Sequence, residues 1–384
     1  MKYVIIGGGI AGISAAVAIR EIDAKGSIDV FTESRVLPYY RPRLIEVLAE
    51  KITLDKIFIH PASFYTEKNI TLHTESIIKI DNTRHELISE HNRIYLYDRL
   101  LLATGSYPFI PPIQGIEKNN VYTFRSQSDA NNIKNIARKK QIVIIGGGLL
   151  GLETAYSLKL LGAKVTVVEF FNRLLPRQLD VEGAEFLKKK IELDGIHFRL
   201  NVETEAILGE NTVAGIKLNS GESLPADAVI ISAGVRARTK LAMQAGVSVN
   251  KGILVNNELE TSIPHIYAAG DVAEYNHLLY GLWIPAKEQG TIAGNIMAGK
   301  TMQYTGSRLE SRLKVSHISL FSFGPVDIND AKEEISKEKD SYTRLLIKNN
   351  QLLGAICIGD KKKIMLITKV LSGVVSLNSS GLRK

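Results

Sequence analysis

The chain has 384 residues, of which 45% are hydrophobic and 23% charged, the make-up of an ordinary globular protein with room for two or three domains. Its single cysteine, Cys357, excludes a disulfide framework, a cysteine-ligated iron–sulfur cluster and any paired-cysteine redox motif within these residues. The formal charge of +8 is uneven: from residue 302 onward fourteen Lys and Arg stand against eight Asp and Glu. That excess fits either a lysine-rich composition or a cationic face for an acidic partner. No basic stretch is interleaved with aromatics as a nucleic-acid surface requires. The apolar run 3–19 holds four glycines, lacks a basic leader and closes at Arg20 and Glu21. It is too short for a membrane span and unlike a signal peptide, so the expectation is a cytoplasmic protein without a membrane segment.

In chain order, "KYVII" (2–6) reads as a strand, and helical spacing starts at Ile10. Between them Gly7, Gly9 and Gly12 fit the GxGxxG fingerprint: a tight turn, a close approach for a pyrophosphate, and close helix–strand packing. The strand "IDVFTE" (28–33) ends at Glu33, placed for a ribose hydroxyl. "LLATGSYP" (101–108) is a strand running into a small-residue turn where backbone can touch a cofactor. The pattern then repeats. "QIVII" (141–145) leads into Gly146, Gly148 and Gly151, and "KVTVVE" (164–169) ends at Glu169. An acid there accepts from a 2′-hydroxyl and repels a 2′-phosphate, which favours NADH over NADPH, with Arg173 placed to soften the preference. "VIISAGVRART" (229–239) is the counterpart of 101–108, and "TSIPHIYAAGDVAE" (261–274) reads as a strand delivering Asp271 to a helix start. Beyond residue 306, alternating segments followed by "KKKIMLITKVLSG" (361–373) suggest a small antiparallel sheet with a terminal helix. His265 and His277 are isolated, and His85 and His91 lie in a polar loop, so no metal site is expected.

With these motifs the chain resembles the flavoprotein reductases with two dinucleotide-binding domains, the pyridine-nucleotide disulfide reductases and their disulfide-free relatives. The resemblance spans about residues 1–300 and is nearest to NADH:rubredoxin oxidoreductases and the flavin modules of bacterial nitrite reductases. "LPYYRPRLIE" (37–46), "RLLPRQLD" (173–180) and "KEQGTIAGNIMAG" (287–299) narrow it. It implies an α/β fold with two Rossmann-like domains plus a small C-terminal α+β domain. The division would be 1–111 with 241–306 for FAD, 112–240 for NAD, and 307–384 at the end. It implies FAD contacts from Gly7, Gly9, Ala11, Gly12, Glu33, Ser34, Arg41, Pro42, Ile77, Ala103, Thr104, Gly105, Glu153, Gly270, Asp271, Trp283 and Lys314. NADH contacts would come from Gly146, Gly148, Leu150, Gly151, Glu169 and Gly234.

The resemblance also shows what is missing. In disulfide-type relatives the helix after the first acid carries a cysteine facing the flavin, whereas "SRVLPYYRPRLIEVLAEK" (34–51) has none. A thiol relay is thereby disfavoured, and electrons must leave the flavin directly, as suits a small acidic one-electron carrier such as rubredoxin or ferredoxin. The flavin component of a nitrite reductase, an NADH oxidase and a redox-sensing scaffold are the competing readings. Several relatives carry a lysine near flavin N5 where this chain has Arg43 and Glu46. Four side chains keep two readings each. Glu153 suits the first turn of its helix electrostatically and also the flavin–nicotinamide contact. Trp283 is either core or flavin neighbour, Lys314 either strand surface or a charge beside the flavin, and Arg41 either surface or pyrophosphate ligand. The C-terminal segment is shorter than the dimerisation domain of the disulfide reductases, which suggests a monomer or weak dimer.

Overall fold

The computed structural model describes residues 1–315 and 317–382, without the side chain of Lys314. Contacts divide the chain into two compact units. One comprises Met1–Leu44, Ile52–Pro108 and Val235–Ser307; the other comprises Ile45–Lys51, Phe109–Gly234 and the residues from Arg308 on.

The first unit is built on a five-stranded parallel sheet. Its central strand, Lys2–Ile6, pairs with Ser27–Phe31 on one side and Arg99–Leu102 on the other. Ile70–His73 and Ile266–Ala268 complete the edges. Val4, Ile5 and Leu100 to Leu102 are buried, as expected of a sheet covered on both faces. The last strand comes from beyond the whole second parallel sheet, so this unit is discontinuous in sequence.

One face is covered by the helices Ile10–Ile22 and Trp283–Met297 in backbone contact. A Cβ at Gly290 would stand 2.1 Å from the Ala11 carbonyl oxygen, and one at Gly294 2.4 Å from that of Ala15. Small residues four apart on both helices allow this approach. Ala11, Ala15 and Ala16 are buried in it.

The second unit contains another five-stranded parallel sheet, in the order His197–Leu200, Lys164–Glu169, Gln141–Ile145, Ala228–Ile231, Val121–Thr123. The first four strands in this order repeat the pattern of the first sheet, but here the fifth, Val121–Thr123, precedes the glycine turn in sequence. The same unit holds a five-stranded antiparallel sheet, in the order Glu310–Val315, Ile318–Phe323, Gln351–Ile358, Tyr342–Lys348, Lys332–Lys337. Helix Lys361–Leu371 is capped by Asp360 and lays Ile364 and Ile367 on the core around Phe321 and Cys357. The α/β class, with two Rossmann-like sheets and a small α+β end, is the one expected from sequence.

Asp180 ties the two sheets of this unit together. Its carboxylate caps helix Val181–Glu192 by accepting from the Gly183 amide at 3.2 Å and accepts from the Tyr342 hydroxyl at 2.7 Å. Burial first, and Asp180 second, raise the Tyr342 phenol well above its usual range. Lys190–Asp340 and Lys337–Glu182 flank the contact.

Gly290→Ala forces backbone apart where no side chain can yield. Its unfolding free energy should fall by about 1–3 kcal/mol in chemical denaturation, without change in the secondary-structure spectrum.

Candidate functional site

The two glycine turns are internally alike. A Cβ at Gly7 would lie 2.0 Å from the Ala103 carbonyl oxygen, and one at Gly12 2.0 Å from that of Gly7. In the second turn Gly146 meets the Ser232 oxygen at 2.3 Å, and Gly151 meets the Gly146 oxygen at 2.0 Å. Gly7 and Gly146 also have φ of +125° and +119°, a region that disfavours side chains. These glycines are required for the chain to pass. The middle glycines differ: at Gly9 and Gly148 an added Cβ meets nothing within 4 Å, and both have ordinary extended backbone. Each caps a helix whose first turn carries no acidic residue and no side-chain cap. Leu150, the second residue of helix Leu149–Leu160, is exposed. Open space before uncapped amides at a positive dipole end fits a pyrophosphate in both turns.

The acids beside the turns are not equivalent. Gly7 donates to the Phe31 carbonyl and Gly146 to that of Val168, which sets Phe31 against Val168 and therefore Thr32 against Glu169. Thr32 lies beneath Gly8, and Glu169 lies beneath Gly147. Glu169 is 6% exposed and accepts from the Gly147 amide at 2.5 Å and the Phe171 amide at 2.9 Å. Ser34 likewise donates its amide to Thr32 Oγ1 at 3.1 Å. Glu33 stands one residue further on, past the strand end at Phe31, with a side chain 70% exposed and Arg238 at 4.0 Å. The expected strand end at Glu33 is thus two residues too late, because Thr32 already turns the chain. Arg173 donates to the carbonyls of Pro176 and Leu179, so its guanidinium is engaged within its own loop.

The small-residue turns are held by internal hydrogen bonds. Ala103 is buried, its amide donating to the Ile6 carbonyl. Thr104 donates to the Arg238 carbonyl at 2.9 Å, and Gly105 has φ +70°. In the second unit Gly234 has φ +98°, and its carbonyl accepts from Phe109. Asp271 corrects the sequence reading. It does not start a helix: it sits in a turn between strands Ile266–Ala268 and Ala273–Tyr275, closed by the Ala273 amide on the Gly270 carbonyl. Ser106 donates to its Oδ2 at 2.7 Å. Gly270, with φ +86°, donates its amide to buried Gln289, whose Nε2 donates to the Tyr304 hydroxyl at 3.2 Å. Neither Ser106 nor Gln289 was singled out from sequence. Gln289 stood inside the quoted "KEQG", but nothing in its spacing shows that it holds a backbone amide 19 residues away.

Trp283 begins helix Trp283–Met297 and is half-buried against Tyr40, with centroids 4.4 Å apart, so the core reading fails. Arg41 is exposed, 6.0 Å from the Tyr39 ring, and Pro42 shares its short 3₁₀ turn. Ile77 is buried in a three-stranded antiparallel sheet whose register slips between Ile77 and Lys79. Glu153 corrects a second reading: it is the fifth residue of helix Leu149–Leu160, past the first turn, so the dipole argument does not apply. It lines a cavity of about 350 Å³ with Arg312, Ser319, Lys361 and Ile364 of the C-terminal sheet and helix. Arg312 lies over the Phe321 ring and donates to the Thr368 hydroxyl. The side chain of Lys314 lies outside the described residues. Cys357 is buried in the C-terminal sheet, and burial pushes its thiol up, away from the reactive thiolate. Among the described residues no group of three His, Cys, Asp or Glu could hold a metal, and no helix is long and apolar enough to cross a membrane.

Residues 1–290 match the pyridine nucleotide-disulphide oxidoreductase family. The chain belongs to this family. Residues 310–373 match the C-terminal domain of rubredoxin NAD+ reductase. The NAD(P)H nitrite reductase of Bacillus subtilis is 38% identical over 94% of this chain and 46% of its own length. The rubredoxin-NAD(+) reductase of Pseudomonas putida is 32% identical over 82% of this chain and 84% of its own. The NADH:rubredoxin oxidoreductase of Clostridium acetobutylicum superimposes with a TM-score of 0.82 at 30% identity, covering 98% of both chains. The chain spans less than half the length of the nitrite reductases it matches. As a pyridine nucleotide-disulphide oxidoreductase it uses FAD and NADH, but with one buried cysteine it has no redox disulfide of its own.

The crowding at the turns predicts separable variants. Gly9→Ala and Gly148→Ala should each cost less than about 1 kcal/mol of stability. Gly9→Ala should purify without the yellow colour of FAD. Gly148→Ala should keep the colour but need about tenfold more NADH for half-maximal flavin bleaching. Gly12→Ala and Gly151→Ala should fail in thermal unfolding instead.

Proposed function

We propose that the first glycine turn holds FAD, with Glu33 and Asp271 accepting from its hydroxyls, and the second holds NADH, with Glu169 accepting from the adenosine ribose. The Ala103 to Gly105 turn and Gly270 bring backbone to the flavin, while Leu150 and Gly234 border the nicotinamide nucleotide. Bound together, the cofactors supply hydride transfer from NADH to flavin and its release as two single electrons. The protein's part is positioning, since the reaction needs no side chain as general base. The acceptor we infer is a small iron–sulfur carrier of the rubredoxin kind. The observation that carries this reading is the pair of open glycine turns in a chain whose one thiol is buried.

The charge distribution supports a carrier. Much of the cationic excess beyond residue 302 is already paired: Lys332 with Glu334, Lys337 with Glu182, Arg344 with Asp327 and Glu333, Lys348 with Asp330. Lys361, Lys362, Lys363 and Lys369 make no ion pair among the described residues, and all lie on helix Lys361–Leu371. Exposed charge of this kind steers an acidic partner in a salt-dependent way. The second reading is the flavin half of a nitrite reductase. It is favoured by the 38% identity to the Bacillus protein across nearly the whole chain.

Anaerobic turnover with purified carriers separates the two. Reduction of rubredoxin by NADH should be rapid and should slow as salt shrinks the Debye length from about 10 Å towards 3 Å. Lys362→Glu with Lys369→Glu should slow carrier reduction several-fold while leaving flavin bleaching by NADH intact. If rubredoxin and ferredoxin stay oxidised while a sirohaem nitrite reductase module accepts electrons, the second reading holds.

Selectivity follows from the Glu169 site. NADH should bleach the flavin faster than NADPH, and Glu169→Gln should shrink the ratio about tenfold while preserving an acceptor for the Gly147 amide. Glu169→Ala should lose stability as well, about 1–3 kcal/mol for each amide left unpaired. Equal rates with both nucleotides in the parent protein would remove the role given to Glu169.

A further inference from the structure

Four polar side chains of the first unit form one unbroken line of hydrogen bonds that starts at the turn carrying Asp271. The Gly270 amide donates to Gln289 Oε1 at 2.8 Å. Gln289 Nε2 donates to the Tyr304 hydroxyl at 3.2 Å, and that hydroxyl stands 2.6 Å from Ser307 Oγ. Ser307 Oγ in turn lies 2.6 Å from Glu288 Oε2. Gln289 and Tyr304 are each 1% exposed, whereas Glu288, the neighbour of Gln289 in helix Trp283–Met297, is exposed. The line therefore runs from a buried backbone amide to a carboxylate in solvent.

That carboxylate fixes the direction of every bond behind it. An ionised glutamate only accepts, so the one Ser307 hydroxyl proton goes to Glu288. Ser307 must then accept from Tyr304, and Tyr304, its own proton spent, must accept from the Gln289 nitrogen. Burial raises the Tyr304 phenol well above its usual range, so it keeps the proton it donates. Gln289 is left presenting its oxygen to Gly270; turned over, it would set N–H against N–H in a buried place. Backbone braces the line as well. The Tyr304 amide donates to the Asn257 carbonyl at 2.7 Å, and the Ser307 amide to the Tyr280 hydroxyl at 3.0 Å.

We propose that Glu288 and Ser307 are positioning residues for FAD, acting through Tyr304 and Gln289 on the turn at Gly270 and Asp271. The inference rests on the placement of FAD at the first glycine turn with Asp271 accepting from it. Gly270 has φ +86°, and both peptide planes beside it are held: one by Gln289 on its amide, the other by Ala273 on its carbonyl. Ser106 fixes Asp271 Oδ2 at 2.7 Å. Hydrogen bonds in series polarise one another, so removing the charge at the far end weakens the hold on Gly270.

The test follows flavin release from the FAD-loaded protein by free-flavin fluorescence, together with hydrogen exchange of the Gly270 amide. Glu288→Leu and Ser307→Ala should each release FAD several-fold faster, with the Gly270 amide exchanging faster in step. Gln289→Leu should release it about tenfold faster. Ser307→Thr, which keeps the hydroxyl, should restore the parent values of both. Should Gln289→Leu fail to fold, the Glu288 and Ser307 variants still decide the matter. Parent release rates in those two variants would overturn the proposal. So would faster release with the Gly270 amide as protected as in the parent. FAD held as firmly in Asp271→Ala as in the parent would overturn it together with the placement of FAD at this turn.

Discussion

Both glycine turns depend on backbone atoms standing where a side chain would otherwise be. The Gly7 and Ala103 main chains, and those of Gly146 and Ser232, approach so closely that a Cβ would overlap a carbonyl oxygen. Gly12 and Gly151 repeat the crowding one helical turn later, drawing each helix onto its strand. Because those contacts consume the first and third glycines, the middle one is left facing open space at the positive end of a helix. The close seating of each helix on its strand and the open space at the middle glycine both follow from that local absence of side chains. The pairing of Gly290 with Ala11 extends the same logic to the second helix over the first sheet.

What the two copies do with the opening differs by one residue. In the first, the position beneath the turn is Thr32, and the acid stands beyond it in solvent. In the second, the acid itself is beneath the turn. A buried carboxylate that already satisfies two amides is held rigidly, and few other groups can take its place without leaving those donors unpaired. An exposed carboxylate near Arg238 is looser, with a pair that contributes little by itself. The duplicated architecture therefore carries two electrostatically distinct turns, a difference that fits the proposal of one dinucleotide for each.

The C-terminal sheet, with its helix, buries its one thiol and exposes much of its positive charge. Its cysteine is sealed in the core by Phe321, Ile364 and their neighbours, while its helix turns four lysines outward or to neutral partners. The sheet is bound to the second nucleotide sheet through Asp180, which serves as helix cap and as acceptor for Tyr342 at once. A single carboxylate thereby couples the start of one helix to the packing of another sheet. Glu153 faces the same sheet across a cavity that contains Arg312 and Lys361.

The amino-acid sequence by itself determined the two glycine turns, their flanking strands and helices, the antiparallel end and the absence of a cysteine pair within these residues. These are local facts: glycine spacing, apolar periodicity and a cysteine count need no partner to be read. Tertiary structure alone decided that Glu33 and Glu169 are offset, because successive strand residues point to opposite faces and the register against the turn is set by pairing with other strands. It alone put Asp271 between two strands, Glu153 past its helix's first turn, and Gln289 on the Gly270 amide. Which lysines remain unpaired was likewise invisible in the chain, since Lys190 finds Asp340 and Lys337 finds Glu182 across about 150 residues. Charge count is a property of composition, but free charge is a property of proximity, and only folding supplies that.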